Sequence, residues 1–269
     1  MLHKTIELSE KYPGATLTTY VADDHPDLKM PPRRAIVVCP GGGYHFLSER
    51  EAEPIVAVYL AAGLNVFLLR YTVGAGAANY APLIQASLAI KHIREHAEEY
   101  NIDPNYVFIT GFSAGGHLAA STGTLWNIPE VLAEMGDAPY GINRPTGMIL
   151  CYAVLIHTHK PSFQNLCGTK EPTPEQLARF ELERHVSAET PPAFIWHTFK
   201  DQIVDVQNAL TFAQKMKDNG IPFELHIYPE GGHGLALCNE LSSAQRPHLV
   251  LPHNESWVQL ALRWVKDFK

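Results

Sequence analysis

The sequence predicts an α/β chain built on a mostly parallel central sheet with helices on both faces. Three observations carry that reading. Short apolar runs rich in β-branched and aromatic residues alternate with longer amphipathic stretches, the rhythm of repeated strand–helix units. One such run, Tyr106-Val107-Phe108-Ile109-Thr110, leads into Gly111-Phe112-Ser113-Ala114-Gly115 and then a helical pattern, a strand, sharp turn and helix in succession. The chain has 269 residues, 46% of them hydrophobic, enough for one large domain that buries roughly three quarters of its unfolded surface.

Taken in order, an early strand is expected over 15–21. Residues 34–39 form a short apolar strand that ends in Pro40-Gly41-Gly42-Gly43. Residues 51–62 read as a helix, with Pro54 tolerated in its first turn and Gly63 stopping it. A strand over 64–70 precedes a long amphipathic helix over 82–100, where Leu83, Leu88, Ile90 and Ile93 supply the apolar positions. After the 106–110 strand and the helix that follows Ser113, further strands are expected over 147–153, 193–198 and 223–228, and helices over 206–219 and 255–267. Two segments, 125–146 and 156–185, break the alternation. They are expected to be loops or short helices, cap-like insertions over the carboxyl edge of the sheet, where α/β proteins bind their ligands. No repeat, low-complexity tract or linker divides the chain, so 1–269 reads as one domain.

Composition excludes several function classes. A net charge of −7 argues against a nucleic-acid groove, which needs a basic patch. No stretch approaches the roughly 18 apolar residues of a membrane span. The opening Met1-Leu2-His3-Lys4-Thr5-Ile6-Glu7 lacks the apolar run of a secretory signal, so a cytoplasmic location is expected. Cys39, Cys151, Cys167 and Cys238 are widely spaced without C-x-x-C and read as thiols, not a disulfide frame or a zinc site.

A strand that turns abruptly into a helix lifts the residue at the bend above the sheet. It also presents that residue to the helix N-terminus, where backbone N–H groups favour negative charge. Ser113 is therefore a candidate nucleophile, with a plain N-cap serine as the alternative. A serine hydroxyl needs a base to take its proton and a carboxylate to orient that base. His233, in Gly231-Gly232-His233-Gly234 just past the last expected strand, is the best base, against the alternative of an ordinary loop histidine. Asp201 follows the 193–198 strand and is the preferred acid. Its rival, Asp205, stands where a helix begins and suits an N-cap role. The glycine loop from Pro40 to Tyr44 can place backbone N–H groups beside Ser113 for an oxyanion, and the N–H of Ala114 supplies another donor. The loop lacks the lysine and threonine or serine of a phosphate loop. His157-Thr158-His159 has no acidic or thiol partner at helical spacing, so no metal is expected. His159 is placed at the pocket mouth, Trp126 at its wall, and Tyr44, which closes the glycine loop, beside them as substrate-binding residues.

These motifs resemble the α/β-hydrolase superfamily, and within it the small bacterial serine esterases described as acetyl esterases or acetyl xylan esterases. The resemblance runs nearly the length of the chain. Its marks include Cys39 to Tyr44, Ser48-Glu49-Arg50-Glu51, Leu69-Arg70-Tyr71, Gly111 to Leu118, Pro191-Pro192 before Trp196-His197-Thr198, and Tyr228 to Gly234. Pro40 departs from the histidine that lipase-like members carry there, and Asp205 from a common proline. The resemblance implies an α/β-hydrolase fold of about eight strands with a small cap, the Ser113–His233–Asp201 set, oxyanion glycines at Gly42 and Gly43, and no cofactor. It also implies a small-molecule ester substrate, with acetyl or other short or aromatic acyl groups removed from carbohydrates such as xylo-oligosaccharides. A general carboxylesterase, a peptidase or acyltransferase on the same residues, and a ligand-binding relative without turnover are the rival readings.

Overall fold

Strands send alternate side chains to opposite faces, and here both faces are apolar, as a sheet sandwiched between helices requires. The structure, a computed structural model, describes residues 1–25, 27 and 30–269. Its strands are β1 (Thr5–Glu7), β2 (Thr16–Tyr20), β3 (Arg33–Cys39), β4 (Asn65–Arg70), β5 (Ile102–Phe112), β6 (Met148–Cys151), β7 (Ala193–Thr198) and β8 (Phe223–Tyr228). Its helices are α1 (Glu53–Ala61), α2 (Ala81–Glu95), α3 (Ala114–Thr124), α4 (Pro129–Met135), α5 (Lys160–Cys167), α6 (Pro174–Ala178), α7 (Gln207–Asp218), α8 (Glu240–Ser243) and α9 (Pro252–Asp267).

All eight strands join one sheet in the order β1-β2-β4-β3-β5-β6-β7-β8. β1 and β2 pair antiparallel, as do β2 and β4, and every later pairing is parallel. Alternation divides the core in two. Val37, Phe67, Ile109 and Ile195 face one side, where α2, α3 and α7 pack through Ile90, Leu118 and Phe212. Val38, Leu68, Phe108 and Trp196 face the other, where α1 and α9 supply Tyr59, Trp257 and Val265. This is the α/β-hydrolase architecture. The four cysteines are free thiols, and burial pushes Cys39, Cys151 and Cys238 above the usual thiol range.

The parallel strands β3, β5, β6, β7 and β8 all point their carboxyl ends to one edge. Gly42, Ser113, Tyr152, Asp201 and His233 follow those ends and so gather there. Segment 156–185, which holds α5, α6 and a turn over Leu182–Arg184, covers the same edge. Segment 125–146 does not. Thr146 donates its N–H to Val107 O at 2.8 Å and its hydroxyl to Asn105 O at 2.6 Å. Arg94 donates to Pro104 O at 3.0 Å and to Arg144 O at 2.7 Å. These partners lie at the start of β5, so the expected cap over 125–146 sits on the opposite, amino edge. The reason is directional: α3 carries the chain back from Ser113 to the amino edge, and β6 must start from there.

Candidate active site

β5 ends at Phe112 and α3 begins at Ala114, so Ser113 makes the turn alone. Its φ of 54° and ψ of −116° lie where side-chain-bearing residues are strained, at a cost of about 1–3 kcal/mol. Hydrogen bonds hold it there: Ser113 N–H to Cys151 O at 2.9 Å, and Val154 N–H to Ser113 O at 3.1 Å. Crowding explains the flanking glycines. A Cβ on Gly111 would stand 2.0 Å from Gly115 O, and one on Gly116 2.5 Å from the Ala153 Cβ. The Ser113 hydroxyl caps no helix N–H, so the plain N-cap alternative does not describe it.

Instead Ser113 Oγ lies 2.7 Å from His233 Nε2, and His233 Nδ1 lies 2.7 Å from Asp201 Oδ2. With Asp201 ionised, Nδ1–H donates to the carboxylate and Nε2 accepts from the serine hydroxyl. The other Asp201 oxygen accepts from the N–H groups of Ile203 at 2.9 Å and Val204 at 3.0 Å. Burial alone would raise the Asp201 pKa. Hydrogen bonds from His197 and His233, with the charge on His233, outweigh it and hold the carboxyl well below the usual carboxylate range. His197, 3.4 Å from Asp201 Oδ2, donates to Val204 O at 2.8 Å and packs the carboxylate loop from beneath. Asp205 is elsewhere: its side chain accepts from Gln207 N–H at 2.7 Å, at the start of α7. The structure brings Asp201, not Asp205, to His233.

The glycine loop arches beside Ser113. Gly42 (φ 130°) and Gly43 (φ 64°) adopt conformations that favour glycine, and a Cβ on Gly42 would meet Phe46 O at 2.0 Å. Among the described residues no acceptor takes the N–H of either. The loop is anchored from three sides: Tyr71 O–H donates to Pro40 O at 2.6 Å, Gly41 N–H to Glu51 Oε2 at 2.9 Å, and Asn165 Nδ2 to Gly43 O at 3.0 Å. Glu51 is buried, and its second oxygen accepts from Tyr152 O–H at 2.7 Å. Burial, then the Glu51 charge, drive the Tyr152 pKa far up, so the phenol stays a donor. It also accepts from Ala236 N–H at 2.9 Å, and its ring lies edge-on to His233. Tyr152 has no place in the sequence reading, and Glu51, Arg50 and His197 enter it only as marks of resemblance, without a role at the site. The signals were present: an acid two residues before α1, and a tyrosine one residue past a strand's carboxyl end.

With this geometry in place, comparison with known proteins assigns the family. The family model described as BD-FAE matches residues 25–216, well over half the chain. The chain belongs to the BD-FAE family. A model of the dienelactone hydrolase family also matches residues 180–265 of this BD-FAE chain. Among solved structures, MGS-M1, an alpha/beta hydrolase enzyme from a Medee basin deep-sea metagenome library, is 33% identical with a TM-score of 0.83, covering 100% of this chain and 98% of that one. An acetyl ester-xyloside bifunctional hydrolase from Caldicellulosiruptor lactoaceticus is 32% identical with a TM-score of 0.81, covering 98% of this chain and 95% of that one. An acetylxylan esterase of Xylanibacter ruminicola is 32% identical over 212 residues, 76% of this chain and 41% of the relative. The chain spans a third to a half of the length of the first curated relatives it matches.

The cavity of this BD-FAE member above Ser113 is about 650 Å³ and is lined by Gly42, Gly43, Ser113 and His233. His159 lines it as expected, its Nδ1 2.8 Å from Ser162 Oγ; burial, then the charge on His233, lower its pKa. Tyr44 and Trp126 are corrections. Tyr44 turns its ring away from the cavity, is 1% exposed, and donates its hydroxyl to His117 Nδ1 at 2.8 Å. His117 Nε2 in turn donates to Phe180 O at 2.9 Å. Trp126 is buried on the amino edge, edge-on to Tyr140 and beneath Arg144, because α3 carries it away from the site.

Proposed function

We propose that this BD-FAE member is a serine carboxylic-ester hydrolase that works through an acyl-enzyme. Ser113 Oγ bonds to the ester carbonyl carbon while its proton passes to His233 Nε2. The carbonyl oxygen takes the negative charge and accepts hydrogen bonds from the N–H groups of Gly42, Gly43 and Ala114. Collapse breaks the bond to the alcohol oxygen, which leaves with the proton from His233. Water then repeats the sequence on the acyl-serine, freeing the acid and restoring Ser113. Asp201 stabilises the imidazolium in both halves. The observation that carries this reading is the pair of 2.7 Å contacts linking Ser113, His233 and Asp201 at the floor of the cavity.

The substrate we propose is an acetyl or other short acyl ester of a carbohydrate alcohol, such as an acetylated xylo-oligosaccharide. A cavity of about 650 Å³ is of the size that takes a small-molecule ester such as a short acyl group on a sugar unit or two. Gln164, Asn165, His159 and Ser48 offer hydrogen-bonding groups to hydroxyls, and Phe46 and Ile203 offer apolar faces to a sugar ring. The Caldicellulosiruptor protein, described as an acetyl ester-xyloside bifunctional hydrolase, and the Xylanibacter acetylxylan esterase support the same choice. The test is acetate release from acetylated xylo-oligosaccharides beside a chain-length series of p-nitrophenyl esters. We expect acetate from the sugars and a kcat/KM that falls beyond short chains. A kcat/KM that rises from acetate to octanoate, with no acetate from the sugars, overturns the substrate assignment.

A further inference from the structure

Two arginines stand on one wall of the cavity. Arg50 comes from the turn Glu49–Glu51 after the glycine loop, and Arg246 from the stretch between α8 and the turn Pro247–Leu249. The Arg50 guanidinium is fixed: Nε donates to Ser242 O at 2.6 Å and Nη2 to Gly234 O at 2.6 Å. Arg246 is exposed, and among the described residues no acceptor takes its side chain. Neither guanidinium has a carboxylate within 4 Å among the described residues, whereas Arg70, Arg184 and Arg263 are each ion-paired. The cavity's own carboxylate, Glu51, is buried with both oxygens engaged by Gly41 N–H and Tyr152 O–H. The cavity lining thus sets two guanidinium charges against the single carboxylate of buried Glu51, a positive excess in a chain of net charge −7. A cleft focuses such a field on whatever enters it.

Position gives the charge a role. Arg50 is bonded to Gly234 O, one residue from His233, and His233 is the group that hands its proton to the departing alcohol. The arginine wall therefore borders the alcohol part of the substrate, not the acyl part. A guanidinium is a rigid fork of donors matched to a carboxylate. We propose that Arg246, with Arg50 behind it, forms an anion subsite, and that the natural ester carries a carboxylate on its alcohol part. This rests on the serine-esterase reading above and adds to it a charge requirement. On a carbohydrate, the chemistry that meets it is an acidic sugar unit bearing or neighbouring the acetylated hydroxyl.

The experiment compares 3- and 4-acetoxybenzoate, which hold the carboxylate at two reaches, with their neutral methyl esters. Each rate is divided by that ester's hydrolysis in buffer, which removes the intrinsic advantage of the more electron-poor methyl ester. At low salt, at least one benzoate should be preferred over its methyl ester by wild type. Arg246→Ala should reduce that preference roughly tenfold, Arg246→Lys should restore part of it, and added salt should erode it. Arg246 is exposed, so these variants fold, and thermal midpoints check that they do. Calorimetric binding of 3- and 4-hydroxybenzoate, the products, reads the subsite without turnover and should be lost in Arg246→Ala. No preference for either benzoate, or a preference untouched in Arg246→Ala, overturns the subsite while the esterase reading stands. Product binding that depends on Arg246 without hydrolysis of any ester would uphold the subsite and reject the esterase reading.

Discussion

Replacing Gly115 by alanine adds one methyl group where α3 crosses closest to the end of β3 beneath the site. Its Cβ would stand 2.1 Å from the carbonyl oxygen of Cys39 and 2.4 Å from that of Pro40. A carbon and a carbonyl oxygen settle at about 3.3 Å or more, so the helix and the end of β3 must part by about 1 Å. Both obstructing atoms are backbone, and no rotamer change relieves them. Pro40 leads directly into Gly42 and Gly43, the proposed oxyanion donors, while α3 carries Ala114 and follows Ser113. The displacement therefore falls between the proposed nucleophile and the donors that must receive its oxyanion. A misplacement of that size costs about a hundredfold in rate, and the overpacking itself about 1–3 kcal/mol of stability. Gly232→Ala is the matched control. It adjoins His233, yet nothing lies within 4 Å of its added Cβ and its φ is not left-handed; its stability should change by no more than about 0.5 kcal/mol. The assay is kcat/KM on p-nitrophenyl acetate, with active-site titration by a fluorophosphonate to count folded sites. A Gly115→Ala protein within about threefold of wild type per titrated site would refute the claim that this contact sets the site's geometry.

Ser113→Ala should lower kcat about a million-fold without loss of fold, and a fluorophosphonate should label only the serine-bearing protein; retention of a tenth of the activity would reject the assignment. Asp201→Asn should cost on the order of 10⁴ in kcat by stabilising the wrong imidazole tautomer, while Asp205→Asn, whose amide oxygen can still accept from Gln207 N–H, should do little. The reverse ranking would relocate the acid. His117 makes stability pH-dependent. Burial lowers its pKa from the ordinary 6.5 to about 4, so between those values the unfolded chain holds a proton that the folded chain does not. Stability is then fully present above about pH 6.5 and declines by about 3 kcal/mol as the pH falls to about 4. Thermal midpoints across that range should show the slope, and His117→Phe should remove its share; an unchanged slope would assign it to other groups.

Much of this was legible because strands and catalytic loops have strong local signals. The runs 193–198 and 223–228, rich in aromatic and aliphatic residues, coincide with β7 and β8. Elsewhere, tertiary context moved the boundaries. β1 has three residues with no apolar run of its own and exists because β2 offers an open edge. α2 ends at Glu95, five residues early, because the chain from His96 turns back towards the start of β5, with Ile102 N–H bonded to Ala97 O. α9 starts at Pro252, whose fixed φ suits a first turn. In the site, Ser113, Asp201 and His233 could be read from their places after successive strands. Tyr44 could not, since its orientation depends on the left-handed turn at Tyr44 itself (φ 58°), which aims the ring into the core. Nor could Trp126, which lies past the far end of α3, since the length of that helix carries it to the opposite edge of the sheet.

The bond from Asn165 to Gly43 O has a practical side for anyone wishing to retune this protein. Helix α5, which lines the cavity through Pro161, Gln164 and Asn165, also holds the Gly43–Tyr44 peptide, the unit next to the Gly43 N–H proposed to receive the oxyanion. Selectivity and turnover are thus geared together through one amide. A library that varies Pro161 and Gln164 while leaving Asn165 intact searches new alcohols at a steady rate constant. One that also randomises Asn165 returns variants whose altered preference and lowered turnover share a single origin, and sorting them by substrate alone misreads a slackened loop as a new specificity.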